Sequence, residues 1–218
     1  MPFFQLTEEL VFPPVHLSES DGLLAVGGDL SVERLTLAYT NGIFPWFNEG
    51  EPILWWTPDP RLVLFPNKIY VSKSMRRWMN KKMHTVSYNQ QFRQVITACK
   101  QQPREGQEGT WITPEMIEAY CELHNAGKAL SVEVWNANKE LVGGMYGVLL
   151  DKVFFGESMF SMETNTSKLA LISLCETLIS EGVELIDCQV HSEHLSSLGA
   201  ELMTRKEFLT LLNKLICC

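Results

Sequence analysis

The period of apolar positions changes repeatedly along the chain, and each change marks an element. Leu130, Val132 and Val134 alternate with Ser131, Glu133 and Trp135, which predicts a strand buried on one face only. Asn136 to Lys139 turns the chain into LVGGMYGVLL, and Asp151-Lys152 turns it again into VFFGESMFS, so a three-strand meander is expected. Asn165 to Ser180 is apolar over much of its circumference, the pattern of a helix buried against a sheet. Gly182 ends it, ELIDCQV reads as the next strand, and helices are expected around His194 to Leu198 and from Lys206 to Ile216. Upstream of the meander the pattern predicts a strand at Ile69 to Ser72, then a helix from Ser74 to Lys82 capped by Ser74. A strand at His84 to Tyr88 and a helix from Gln90 to Gln101 follow. Thr113-Pro114-Glu115 is a strong helix start and Gly127 its stop.

The first 62 residues differ in texture, being rich in Pro, Gly and aromatics. Ser31 reads as an N-cap, Asn41-Gly42 as a helix end, and GEPILWWTPDPR as a short strand with a proline-stiffened exit. The expected class is therefore α+β: a small N-terminal α+β domain over 1–62, then a mixed-sheet domain over 63–218. Two helices, a meander, a helix, a strand and a helix resemble the acetyltransferase (GNAT-type) topology.

Charge is segregated. Between Pro60 and Arg104 lie ten Arg or Lys and no acid, although the 218-residue chain has a net charge of −8. The rest holds eight basic residues against all 26 acids. A basic face within an acidic chain suggests a polyanionic partner, a nucleic acid before others. The N-terminus lacks the basic and apolar regions of a signal peptide, and no apolar run approaches a membrane span, so a cytoplasmic chain without membrane contact is expected. Its six cysteines form no C-x-x-C pair and read as reduced thiols. His191 and His194 lack a third ligand, so no metal is expected.

In ELIDCQV, strand period places Asp187 and Gln189 on one face and Cys188 on the other, as readily a structural hydrogen-bonded pair as a reactive one. Glu157 is a second carboxylate in an apolar run, and an outward, solvated position is equally consistent with it. An acetyltransferase would bind coenzyme A, which needs a glycine-rich pyrophosphate loop before the buried helix. No glycine occurs between Gly156 and Gly182, which counts strongly against coenzyme A and predicts no cofactor. Trp46, in a Phe-Pro-Trp-Phe run, and Trp111, at the end of a polar loop, read as exposed platforms for nucleobases.

The segments GLLAVGGDL, GIFPWF, ILWWTPDPR, EGTWIT, LVGGMYGV, GESMFS, ELIDCQV and SLGA run in order from Gly22 to Ala200. Together they resemble the bacterial leucyl/phenylalanyl-tRNA–protein transferases. The resemblance implies transfer of Leu or Phe, with Met left open, from aminoacyl-tRNA to proteins bearing N-terminal Arg or Lys, marking them for N-degron degradation. It implies that Asp187 and Gln189 are catalytic: either Asp187 polarises the Gln189 amide, whose oxygen orients the amine, or the leaving ribose hydroxyl takes the proton and the pair only aligns the amine. Met145, Phe154, Gly156, Glu157 and Met159 become the pocket for the aminoacyl side chain, and Trp46 and Trp111 the holders of the terminal adenosine. Glu157 is also a candidate for recognising the acceptor's cationic side chain, or equally for orienting the donor's amino group. The basic block then receives the acceptor stem through Lys73, Arg76, Arg77, Lys81 and Lys82. A monomer is expected. A coenzyme-A-dependent acetyltransferase and a non-catalytic tRNA-binding module are the competing readings.

Overall fold

The computed structural model describes residues 4–102 and 110–216. The first part contains β1 (Phe4–Leu6), β2 (Leu23–Gly27), α1 (Val32–Thr40), β3 (Phe44–Pro45) and β4 (Leu54–Trp56). Next come β5 (Arg61–Leu64), α2 (Lys73–Met79), β6 (Thr85–Tyr88), α3 (Phe92–Gln101) and α4 (Pro114–Asn125). The meander is β7 (Ala129–Trp135), β8 (Leu141–Leu150) and β9 (Val153–Ser161). It is followed by α5 (Thr166–Ser180), β10 (Leu185–Gln189), α6 (Glu193–Ser196), β11 (Glu201–Met203) and α7 (Arg205–Leu215).

Caps set several helix starts. The Ser31 hydroxyl accepts from the Arg34 amide, Thr113 accepts from the Met116 amide, and Thr204 and Glu207 form a reciprocal box ahead of α7. One start lies elsewhere than expected. Ser72, not Ser74, caps α2 by accepting from the Met75 amide at 3.2 Å. Pro66 opens a single 3₁₀ turn over Pro66–Lys68, and Ile69 to Ser72 leads into the helix without becoming a strand.

Four strands form the first sheet in the order β1-β2-β4-β3. Seven form the second, β11-β5-β10-β9-β8-β7-β6, and β5 lies inside it although it directly follows the N-terminal segment. All neighbours in the second sheet are antiparallel except β9 and β10, which run parallel because α5 crosses over between them. A meander followed by a helical crossover to a parallel neighbour is the acetyltransferase-like arrangement.

The second sheet separates two apolar layers. Leu169, Ile172, Leu174, Cys175 and Leu178 of α5 pack one face, with Met75 of α2. On the other face α1, α3, α4 and α7 share one cluster with the first sheet, so Leu24, Leu35 and Trp55 join Val95, Met116, Phe155 and Phe208. This double cover corrects the reading of β7 as half-buried. Ser131 and Glu133 are fully buried too, and Glu133 accepts hydrogen bonds from the hydroxyls of Ser87 and Ser131, both at 2.6 Å. Its partners satisfy a carboxylate that alternation alone would have left in water.

Close backbone approaches require glycine in β8. A Cβ on Gly143 would lie 2.4 Å from the Thr166 hydroxyl, and one on Gly147 would lie 2.1 Å from the Phe155 carbonyl oxygen. Gly147 sits where the pairing of β8 with β9 shifts: Tyr146 faces Ser158 and Gly147 faces Gly156, which leaves Glu157 as the extra residue of a bulge.

Candidate active site

The site lies where two neighbouring strands part. β9 and β10 are paired at Leu185–Val153, Ile186–Phe154 and Asp187–Phe155, and their pairing ends there. Beyond that point Gly156 and Glu157 on one strand, and Cys188 and Gln189 on the other, line a cavity of about 610 Å³. Met145, Met159, Leu171, Ile186 and Leu195 supply its apolar wall, and Phe44, Pro45, Trp46 and Trp111 line it as well.

Both strands carry irregularities at the opening. The β9 bulge lets Phe155 and Glu157 look toward the α1–α4 layer, while Met159 packs with the α5 layer. In β10, Asp187 lies opposite Val63 and Gln189 opposite Leu62, so Cys188 is an extra residue there. Gln189 also has left-handed backbone, φ +65°. The expected alternation holds despite this irregularity: Ile186 and Cys188 pack with the α5 layer, whereas Asp187 and Gln189 both turn to the α1–α4 side, toward Arg61 and Glu157.

Their relationship is closer than a shared face. Asp187 is fully buried, and Arg61 of β5 grips it in two bonds, Nε to Oδ1 at 2.8 Å and Nη2 to Oδ2 at 2.6 Å. The Arg61 guanidinium is itself held over the rings of Phe44 and Phe208, 4.9 and 4.6 Å from their centroids. Asp187 Oδ1 also accepts the Gln189 backbone N–H at 2.9 Å. Asp187 thus fixes the backbone of Gln189 and does not polarise its side-chain amide.

That amide belongs to Glu157. Gln189 Nε2 donates to Glu157 Oε1 at 2.7 Å, and the Tyr120 hydroxyl donates to Oε2 at 3.0 Å. The hydroxyls of Tyr39 and Tyr120 are hydrogen-bonded to each other. Burial pushes both phenols well above their ordinary pKa, with the Glu157 charge adding to it, so they remain protonated donors. Burial raises the Glu157 carboxyl to about 7 and Asp187 adds to the rise, against the lowering bonds from Tyr39, Tyr120 and Gln189. A carboxylate titrating at neutral pH can take and return a proton. Only 8% exposed and with both oxygens engaged, Glu157 is not placed to pair with an acceptor's cationic side chain, which corrects that expectation. Burial and the Asp187 charge push the Cys188 thiol far up, so it lines the cavity as an apolar group rather than a nucleophile.

Of the expected pocket residues, Met145, Gly156, Glu157 and Met159 line the cavity, whereas Phe154 does not. Phe154 is fully buried in the α5 layer, its ring filling the place beside Gly147 where a side chain would otherwise stand. Trp46 and Trp111 are also less open than the sequence suggests. Trp46 is half-buried against Trp56, whose indole N–H donates to the Trp46 carbonyl at 2.7 Å, and Trp111 is only 7% exposed. They act as walls of the cavity.

Arg61, Tyr39 and Tyr120 were not legible as site residues. Arg61 had a weak signal, a charge opening the apolar run RLVLF. The tyrosines had none, being ordinary apolar-face positions of α1 and α4.

The basic block dissolves into separate environments. Arg61 is consumed by Asp187, Lys68 pairs with Glu201 and Arg93 with Glu118. Lys73, Arg76, Arg77, Lys81 and Lys82 are exposed on and just after α2, with no ion pair among the described residues. Arg104 lies outside the described residues. No helix among the described residues is long and apolar enough to cross a membrane.

The family model described as "Leucyl/phenylalanyl-tRNA protein transferase" matches residues 63–213, and that of its N-terminal domain matches 28–59. A leucyl/phenylalanyl-tRNA–protein transferase of Flavobacterium johnsoniae is 57% identical over 96% of this chain and 98% of its own. One of Syntrophobacter fumaroxidans is 55% identical over 97% of this chain and 90% of its own. Among solved structures, a GCN5-related N-acetyltransferase from Kribbella flavida aligns with a TM-score of 0.42 and 11% identity. That alignment covers 78% of this chain and 60% of the other, too loose a match to bear on the site. The chain belongs to the leucyl/phenylalanyl-tRNA–protein transferase family.

Proposed function

We propose that the cavity between β9 and β10 moves a leucyl or phenylalanyl group from aminoacyl-tRNA to the α-amine of a protein whose first residue is Arg or Lys. Family membership carries the coarser part, an aminoacyl-tRNA donor and a protein acceptor. One observation carries the chemistry: Gln189 and Glu157, bonded at 2.7 Å, line the mouth of an apolar cavity that Trp46 and Trp111 also line.

The reaction is aminolysis of an ester. The acceptor nitrogen attacks the carbonyl carbon, a C–N bond forms, the bond to the ribose oxygen breaks, and one proton passes from amine to ribose. With an ordinary pKa of about 7.7–8.0, part of the α-amine is already neutral at pH 7, so alignment and a proton acceptor are what the protein must add. The Gln189 amide nitrogen is turned to Glu157, which leaves its Oε1 to accept an N–H of the incoming amine. Glu157 polarises that amide and, with a pKa near 7, receives the proton as the tetrahedral intermediate forms and returns it to the departing ribose oxygen. Asp187 and Arg61 are positioning residues that hold the Gln189 backbone in its left-handed turn. Met145, Met159, Ile186, Leu171 and Leu195 take the donor side chain, and Trp46 and Trp111 the terminal adenosine. The exposed α2 cations meet phosphates, which fits salt-dependent and sequence-indifferent binding. An enzyme consuming charged tRNA works in the cytoplasm.

The deciding assay incubates the protein with labelled Phe-tRNA and peptides beginning with Arg, Lys or Ala. Label on the Arg and Lys peptides is the expected result. No transfer despite tRNA binding would leave a binding module, and label on the Ala peptide would remove the acceptor specificity.

A further inference from the structure

A second cavity, of about 630 Å³, opens beside the first between α2, the beginning of α5 and the end of α6. Arg77, Lys81 and Lys168 line it together with Ser74 and Ser197, and no carboxylate does among the described residues. Lys168 is half-buried and has no ion pair among the described residues. In a chain of net charge −8, a half-buried, unpaired lysine facing two further cations calls for an anion from outside. At the rim stands Tyr70, 61% exposed, its backbone N–H anchored to the Leu198 carbonyl at 2.8 Å.

The two cavities share their walls. On α5, Ser167 and Leu171 face the first and Lys168 the second; around α6, His194 and Leu195 face the first and Ser197 the second. Lys168 stands near enough to His194 that its charge, after burial, helps hold the imidazole below its ordinary pKa. A chain whose last residue fills the first cavity therefore enters the second with the residues just before it. Cations for phosphodiesters and an exposed aromatic form the combination that binds single-stranded nucleic acid. A base-paired stem is too wide for such a recess, and its base faces are already stacked.

We infer that the second cavity receives the unpaired nucleotides immediately 5′ of the terminal adenosine, with Lys168, Arg77 and Lys81 on their phosphodiesters and Tyr70 stacked on a base. This rests on the aminoacyl-tRNA reading above and divides its basic face: the stem is left to Lys73, Arg76 and Lys82, which do not line the cavity.

The test measures KM for three phenylalanyl donors with one Arg-initiated peptide: Phe-tRNA, the 3′-phenylalanyl CCA trinucleotide, and 3′-phenylalanyl-adenosine. Lys168→Ala and Tyr70→Ala should each raise KM roughly tenfold for tRNA and trinucleotide. The penalty should vanish for phenylalanyl-adenosine, which has no upstream phosphate or base. Lys168→Arg, which keeps the charge, should stay close to wild type with the trinucleotide. Equal penalties on all three donors, a penalty on tRNA alone, or none at all would each overturn the assignment. Failure of the wild-type protein to transfer from any donor would instead overturn the underlying reading.

Discussion

The network at the end of β10 and the basic face of α2 treat charge in opposite ways. Asp187 and Arg61 are buried and bonded twice, and Glu157 has a partner on each oxygen. On and after α2, five exposed cations have no ion pair among the described residues. A charge that the fold has already paired has been desolvated once, during folding, and can hold geometry without waiting for a ligand. An unpaired surface charge fixes little geometry, and most of its interaction energy is left for a partner. The first region suits reacting atoms, which need orientation, and the second a polyanion, which needs attraction before orientation.

The largest effect should come from breaking the buried pair. Asp187→Ala leaves Arg61 charged and alone in the core, and should cost about 3–5 kcal/mol of stability in urea denaturation. A double variant, Arg61→Met with Asp187→Leu, should recover most of that stability while turnover stays low, because the Gln189 N–H has lost its acceptor. Recovery of both would show that the pair never positioned Gln189.

Glu157→Gln comes next. Turnover should fall about a hundredfold, in the range of a lost general base. Wild-type kcat/KM should climb through pH about 7 as Glu157 ionises, and the variant should lack that limb, keeping only the rise from the acceptor amine. Stability gives an independent reading. Because the folded-state pKa is raised, the folded protein holds this proton more tightly than the unfolded chain does. That contribution is complete below the unfolded value near 4.5 and is lost as pH rises through about 7. Between pH 5 and 8 the stability difference should therefore move in the variant's favour by about 2–3 kcal/mol. Parallel pH curves for the two proteins would mean that Glu157 titrates in the ordinary range.

The smallest effects belong to α2. Replacing Arg76 or Lys82 by Ala should leave kcat unchanged, raise KM for Phe-tRNA a few-fold, and lower the salt slope of binding by about one per lost phosphate contact. An unaltered slope would place the tRNA on another surface.

Particular residues show how much was readable along the chain. Thr113 before Pro114, Ser31 before α1 and Gly182 after α5 carry local signals, and those elements form accordingly. Ser72 displaced Ser74 as the cap because α2 already begins at Lys73, which leaves the Ser72 hydroxyl opposite the free Met75 amide. The buried Glu133 defied its alternation because α3 and α4 cover a face that a lone meander would leave wet. Phe154 fell out of the pocket because its neighbours Gly147 and Gly156 give its ring a place in the core.

The chain alone was enough for the α+β class, for the absence of a coenzyme A loop, and for Asp187, Gln189 and Glu157 as the residues to watch, since helix caps, strand periods and misplaced polar side chains are local features. Which of them touch was settled only when distant segments met. The extra residue Glu157 in β9 changes which way that strand presents its side chains, and the pairing of β10 with β5 shifts at Cys188, at the point where the two strands part. Arg61 from β5 claims Asp187 across 126 positions of sequence, and Tyr120 from α4 reaches Glu157 across 37. A bulge is one residue of register between partners, and register exists only once both strands are in place.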